Sequence, residues 1–407
     1  MTRADISYAA RMISLEQARA LIAEKLQPLA PVRVRLNAAR RRVLRETIVA
    51  PHDFPPFDRS AMDGYAVAID DHSERFCVVA EVQAGSISER AIAAGECARV
   101  FTGAQIPSGA SQVLMQEDVE RTGEWMIPKM RDRTTHVRLR GEDARAGTPL
   151  LHAGQRLGAC DVSLLAHLGA IEPLVGTAPR VLHLVTGREL VPPEQLPADG
   201  QIRDTNSSLI ASLLAESGAE LVQQTRCGDD LVETLNAIRS IPEGAWQVLL
   251  ISGGASVGEY DFGARALREL GFEIHFDRIN LRPGKPLIFA TRGPQAAFVI
   301  PGNPVSHFVT YHVAIRSAFE VLEGIKPAWE LARLILDETL AGKAGPRETW
   351  WPARVLLRAG NLHAHPLAWR SSGDLCGLAG ANGLLRILPG QGARSAGETI
   401  DGLWLGF

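Results

Sequence analysis

Three short segments between residues 252 and 306 combine glycine, hydroxyl groups and fixed positive charge in the way a small anion requires. The first is Ser252-Gly253-Gly254-Ala255-Ser256-Val257-Gly258-Glu259-Tyr260-Asp261. Its glycines let backbone N–H groups turn toward a ligand, and Ser252 and Ser256 add hydroxyls. It is neither a Walker loop nor G-x-G-x-x-G, so taken alone it reads equally as a tightly packed turn. The second is Arg282-Pro283-Gly284-Lys285-Pro286, where two prolines stiffen the backbone between two cations. Such a loop either grips a compact oxyanion or is a surface turn with solvated charges. The third, Pro301-Gly302-Asn303-Pro304-Val305-Ser306, follows an apolar run and opens a helix. Its free N–H groups and Ser306 then lie at a positive helix end.

Acidic residues gather in the same stretch: Glu189, Asp204, the pair Asp229-Asp230, and Asp261 inside the glycine-rich turn. Carboxylates beside phosphates commonly hold Mg²⁺, which needs only one or two protein ligands. Asp204, Asn206 and Asp229 have the plainer alternative of capping a following helix. Asp58 to Val67, with Asp63, and Phe101-Thr102-Gly103-Ala104 read as ordinary turns. The histidines have no H-x-x-x-H or H-E-x-x-H spacing, and most of them read as surface or capping residues. No G-x-S-x-G elbow supports an α/β-hydrolase.

The elements that must hold these segments follow from periodicity. From Arg180 to about Ala318, strand-like runs such as 181–185, 221–225, 248–252 and 297–300 alternate with helical patterns. That alternation predicts a doubly wound, mainly parallel sheet with helices on both faces, and ligands at the carboxyl ends of its strands. Three anion-friendly turns at three such ends argue for phosphate binding more strongly than any one of them. A capping-box helix starts at Ser14, with Gln17 three residues on. Residues 51–141 carry short apolar runs between turns and predict a mostly β insertion, and residues after Pro327 predict a small β domain.

The whole reads as a multidomain α/β protein: an N-terminal helical linking domain (1–50 plus 142–177), a mostly β insertion domain (51–141), a central α/β domain (178–326) and a C-terminal small β domain (327–407). With 407 residues, a net charge of −3, 46% hydrophobic and 22% charged residues, the chain should fold and has no field to attract nucleic acid. Its five cysteines are scattered and form no C-x-x-C pair, which fits a reducing cytoplasm. Neither a secretory leader nor a membrane span is expected.

Read together, Ser60 to Ala66, Arg140-Gly141-Glu142-Asp143, Asp204-Thr205-Asn206, the 252–261 turn, Pro283-Gly284-Lys285-Pro286 and the 301–306 segment resemble the MoeA and gephyrin E-domain family, the molybdopterin molybdenumtransferases. The resemblance implies a four-part protomer in a homodimer, the cleft lying between the α/β domain of one chain and the β insertion of the other. It implies molybdenum cofactor biosynthesis: transfer of molybdenum from molybdate into the dithiolene of adenylated molybdopterin, with Mg²⁺ and release of AMP. Asp63, Thr102, Glu189, Asp229 and Asp261 carry over as catalytic positions, the last three also as metal ligands. Asp204, Ser252, Gly253, Gly254, Ser256, Gly258, Pro301, Gly302 and Asn303 would bind the cofactor precursor. Arg282, Lys285, Pro286, Ser306, Arg347, Ser371 and Ser372 would form the molybdate pocket. Expected partners are a second copy, the adenylylating enzyme of the pathway, and molybdoenzymes or their chaperones. A non-catalytic carrier or scaffold, an adenylyltransferase and a tungsten-inserting paralogue are the alternatives. Where the family reads T-G-D-E-L this chain has Arg188, a reversal of charge.

Overall fold

The computed structural model describes residues 12–131, 133–254, 262–327, 330–342 and 344–406. Leu15, Ala18 and Ile22 fall on one face of α1 (Leu15–Lys25) and are buried. Ser14 starts this helix: its hydroxyl accepts the Gln17 N–H while the Gln17 side chain accepts the Ser14 N–H, the reciprocal cap read from the sequence.

The chain divides into two compact units, one of residues 46–153 with 159–171, the other of residues 1–45, 154–158 and 172–407. Residues 142–177 are therefore shared between the two. In the smaller unit β1 (Gly64–Val67), β2 (Phe76–Val82), β3 (Glu96–Val100), β4 (Gln112–Met115), β5 (Val119–Thr122) and β6 (Trp125–Pro128) form one sheet in the order β4-β1-β3-β2-β6-β5. Alternate residues serve its two faces, Ala66, Ala98, Val100 and Val113 on one and Tyr65, Val67, Cys97 and Leu114 on the other. A Cβ on Gly64 would stand 2.1 Å from the Leu114 carbonyl oxygen, so only glycine admits β1 between its neighbours. The helix α2 (Ala159–His167) buries Leu165.

In the larger unit β7 (Arg180–Thr186), α3 (Asn206–Ser217), β8 (Glu220–Cys227), α4 (Leu231–Arg239), β9 (Val248–Ser252) and α5 (Phe262–Glu269) alternate as expected. Then come β10 (Glu273–Phe276), β11 (Leu281–Arg282), β12 (Ile288–Arg292), β13 (Gln295–Ile300), α6 (Pro304–Thr310) and α7 (Arg316–Glu323). The sheet order is β8-β7-β9-β13-β12-β10. Its first four strands are parallel, but β12 runs antiparallel to both of its neighbours, β13 and β10, so the sheet is mixed rather than simply doubly wound. The cause is local: Arg292 pairs with Gln295 across Gly293-Pro294, and so short a connection can only reverse the chain. Side-chain alternation sends Val181, Val248, Leu250 and Phe298 to the face covered by α1, α3, α6 and α7. Leu182, Leu249, Ile251 and Val299 face α4 and α5.

The last strands, β14 (Ala332–Leu336), β15 (Glu348–Arg358), β16 (Asn361–Pro366), β17 (Gly383–Ile387) and β18 (Thr399–Trp404), close a ring β15-β16-β14-β18-β17 around Leu334, Leu336, Val355 and Leu385. Strand β11 leaves the α/β region and pairs in parallel with β15, Arg282 opposite Thr349. No helix among the described residues is long and apolar enough to cross a membrane.

Candidate active site

The pairing of β11 with β15 determines where the basic loop goes. It sets Arg282 beside the residues that follow Arg347. The loop then turns at Gly284, whose φ is +106° and whose Cβ, if present, would stand 2.3 Å from Thr310 Cγ2. Two further bonds join the start of α6 to the barrel: the Val305 N–H donates to the Ser372 carbonyl at 3.1 Å and Asn303 Nδ2 to Ser372 Oγ at 2.9 Å. These contacts enclose a cavity of about 250 Å³. Arg282, Lys285 and Pro286 line it from the basic loop, Ser306 from α6, and Arg347, Ser371 and Ser372 from the barrel. All seven are the residues assigned to molybdate. Among the described residues no acid lines the cavity, so three cations and three hydroxyls face it without a competing carboxylate.

Trp369 lines the same cavity and was not among the sequence candidates. Its indole N–H donates to the Ser371 carbonyl, and Arg282 lies 5.6 Å from its ring centroid. The ring thus orients a cation and fixes the serine turn. A tryptophan two residues before a serine pair was the available signal, and it reads as core without the tertiary contact.

Two of the three turns lie together at neighbouring strand ends of the central sheet, after β9 and β13, whereas the basic loop follows β11, which pairs with β15 outside that sheet, and meets the third turn across the cavity. The Gly253 N–H donates to the Ile300 carbonyl at 2.8 Å, and a Cβ on Gly302 would stand 3.9 Å from Gly253 Cα. Gly253 has φ +100°, and a Cβ there would be 2.4 Å from Thr186 Oγ1. Pro301 and Asn303 line the cavity as well. Ser256, Gly258 and Asp261 lie outside the described residues.

Glu189 folds back over the turn after β7, where a Cβ on Gly187 would meet its Oε2 at 2.9 Å. Asp229 accepts the Arg188 N–H at 3.4 Å. The helix α4 is capped by Asp230, which accepts the Glu233 N–H at 2.9 Å, leaving the exposed Asp229 free of that task. No trio of metal-ligating side chains occurs among the described residues. Two carboxylates flanking one turn nevertheless match what Mg²⁺ takes from a protein. Asp204 is different: it is 2% exposed and accepts both the N–H (3.0 Å) and the hydroxyl of Ser207, so its carboxylate stabilises the start of α3. Asn206 Nδ2 donates to the Gly302 carbonyl at 2.7 Å and thereby ties α3 to the third turn.

Ser252 is fully buried, with His183 Nε2 and His307 Nε2 each 2.7 Å from its hydroxyl oxygen. Its side chain therefore belongs to the interior behind the cavity. Burial pushes His183 down to about 3 and His307 to about 4, so both are neutral. With His312 they are the buried exceptions to the reading of most histidines as surface residues, because periodicity cannot tell a buried imidazole from an exposed one.

In the smaller unit Asp63 and Thr102, separated by 39 positions, meet directly. Asp63 Oδ1 accepts the Thr102 N–H and hydroxyl, each at 2.7 Å.

Comparison with known proteins decides the relationship. Over 383 residues, 90% of this chain and 87% of the relative, it is 33% identical to the molybdopterin molybdenumtransferase of Nostoc sp.. The chain belongs to that family. The molybdopterin molybdenumtransferase of Staphylococcus aureus is 28% identical over 400 residues, 96% of this chain and 94% of its own. A crystal structure of the molybdopterin biosynthesis MoeA protein of Pyrococcus horikoshii matches with a TM-score of 0.80 at 27% identity, covering 98% of this chain and all of that one. Three family models match in order: "MoeA N-terminal region (domain I and II)" at residues 13–169, "Probable molybdopterin binding domain" at 183–320 and "MoeA C-terminal region (domain IV)" at 339–405. In this MoeA-family chain the cavity thus joins residues of the molybdopterin-binding region to Arg347, Trp369, Ser371 and Ser372 of the C-terminal region.

Proposed function

We propose that this chain works in molybdenum cofactor biosynthesis as a molybdopterin molybdenumtransferase, moving molybdenum from molybdate into the dithiolene of adenylated molybdopterin with release of AMP. One observation carries the reading: three cations and three hydroxyls from the α/β region and the barrel face a single cavity lined by no acid among the described residues. A tetrahedral dianion calls for that set, since each oxygen gains a charge-assisted or hydroxyl hydrogen bond. Arg282 and Lys285 would offset its charge, while Ser306, Ser371 and Ser372 would orient its oxygens. From the Gly253-Gly254 and Pro301–Asn303 turns, adjacent along the sheet edge, the Gly254, Gly302 and Asn303 N–H groups would face the phosphate side of the pterin.

Glu189 and Asp229, with Asp261, would hold Mg²⁺. When bound, that ion would supply positive charge against the phosphate oxygens. Asp204 would contribute through the turn it caps. We further propose a cytoplasmic homodimer in which Asp63 and Thr102 serve the partner's site. Its substrate would come from an adenylylating enzyme, and molybdoenzymes or their chaperones would receive the product. The four-part division into 1–50 with 142–177, 51–141, 178–326 and 327–407 belongs to the same proposal.

The test is AMP release by the purified protein supplied with adenylated molybdopterin, Mg²⁺ and molybdate. Release that depends on molybdate and is lost in Asp229→Ala supports the assignment. Equal release by Asp229→Ala removes that residue from the site, and no release from the unsubstituted chain refutes the activity.

A further inference from the structure

Behind the oxyanion cavity a run of hydrogen bonds crosses the central sheet and ends on the turn that lines the cavity. Gln224 of β8 sits opposite His183 of β7, with its Nε2 2.8 Å from His183 Nδ1. The same Nε2 donates to the Ser207 carbonyl at 3.0 Å, which fixes the orientation of the amide. An amide nitrogen only donates, so His183 Nδ1 accepts and the proton of the neutral ring is on Nε2. Nε2 donates to Ser252 Oγ at 2.7 Å. At the other end His307 Nδ1 faces the Asn303 carbonyl oxygen at 3.1 Å. A carbonyl only accepts, so here Nδ1 carries the proton and Nε2 is the acceptor. That Nε2, 2.7 Å from Ser252 Oγ, takes the serine hydrogen. One proton arrangement satisfies both ends, and every ring nitrogen in the run has a partner.

Neither ring reaches the cavity: His183 and His307 are both 0% exposed and neither lines it. What does line it is Asn303, whose carbonyl receives the His307 ring and whose amide donates to Ser372. Ser306 precedes His307 on the first turn of α6. We propose that His307 is a positioning residue for oxyanion binding: held in a single tautomer by Ser252, His183 and Gln224, it fixes the Asn303 carbonyl and thereby the spacing of Asn303, Ser306 and Ser372 around the ligand. The proposal rests on the reading of this cavity as the molybdate pocket. It explains the two inward-facing histidines, which touch neither ligand nor solvent.

Two amide substitutions separate positioning from packing. The amide of Asn occupies the place of the imidazole Nδ1, and that of Gln the place of Nε2. His307→Asn can still donate to the Asn303 carbonyl but loses Ser252, whereas His307→Gln keeps the Ser252 contact and loses the side-chain bond to that carbonyl, leaving it only the backbone N–H of residue 307 at 3.2 Å. Molybdate binding to the purified full chain would be measured by calorimetry, with melting temperatures recorded alongside. His307→Gln is expected to weaken binding about tenfold, the loss of roughly one neutral hydrogen bond, and His307→Asn to recover most of it at a similar melting temperature. Equal losses in the two variants, or no loss in either, would overturn the positioning role. Absence of molybdate binding to the unsubstituted chain would instead overturn the pocket reading. The imidazole ¹⁵N spectrum then still decides the relay, which requires protonated Nε2 on His183 and protonated Nδ1 on His307; the opposite tautomers refute it.

Discussion

Thr102 gives both of its donors to one oxygen of Asp63, the backbone N–H and the hydroxyl each lying 2.7 Å from Oδ1. Neither residue stands out in its own segment, and their meeting is a product of the sheet. Gly64 pairs with Val100, so the turn ahead of β1 and the turn after β3 are neighbours. The two bonds from Thr102, with a lesser contribution from Arg99, hold the Asp63 carboxyl below the usual carboxylate range.

Thr102→Val removes one of these donors and is expected to raise the Asp63 pKa, which a carboxyl ¹³C titration would follow. A folded-state pKa below the unfolded one adds stability that is complete above roughly pH 4 and is lost as pH falls through the folded value. The substitution should narrow that window from its acid side. An unchanged titration would mean that the hydroxyl does not donate.

Lys285 tests the cavity directly, since its ammonium meets no acid of the described lining. Lys285→Gln should raise the molybdate Kd about 10- to 100-fold, the worth of a charged hydrogen bond at about 1.5–3 kcal/mol. The melting temperature should change little, because the side chain is only partly buried. Titration calorimetry at two salt concentrations would check both the loss and its electrostatic origin. An unaltered Kd would remove Lys285 from the site.

Gly253 is required twice, by its φ of +100° and by Thr186 Oγ1 only 2.4 Å from where a Cβ would lie. Gly253→Ala should cost about 1–3 kcal/mol of stability through backbone strain. It should also displace the turn from the Ile300 carbonyl. Urea melts and AMP release are expected to fall together, and full activity at lowered stability would show that the turn does not face the ligand.

His312 has both ring nitrogens buried without a hydrogen-bond partner among the described residues, and burial pushes it down to about 3. His312→Phe should stabilise the chain by about 1 kcal/mol or more at pH 7, since an unsatisfied buried group carries a desolvation penalty. With folded pKa values of about 3, 4 and 3, His183, His307 and His312 stay neutral while the unfolded chain takes up protons below roughly pH 6.5. Stability should therefore fall as pH drops from 6.5 toward 4, less steeply in the variant. Parallel pH profiles would contradict this account.

Much of this was legible in the chain alone because it depends on neighbours in sequence. Apolar spacing marked the helices and the parallel strands, Ser14 and Gln17 marked a helix start, and glycine with proline marked the turns that bear the chemistry. The motif order was enough to suggest the family. The reversed strand β12 and its neighbour β10 escaped, because Gly293-Pro294 is a weak turn signal and β10 is only four residues long. Tertiary structure alone decided that Asp230 rather than Asp229 caps α4, that the Asp204 and Ser252 oxygens face inward, and that Trp369 borders the cavity. Each of these depends on which residues meet across the chain. The pairing of Arg282 with Thr349, two residues from Arg347, is the clearest case: local preference could place a cation on each loop, but only strand register could bring the two loops to one anion.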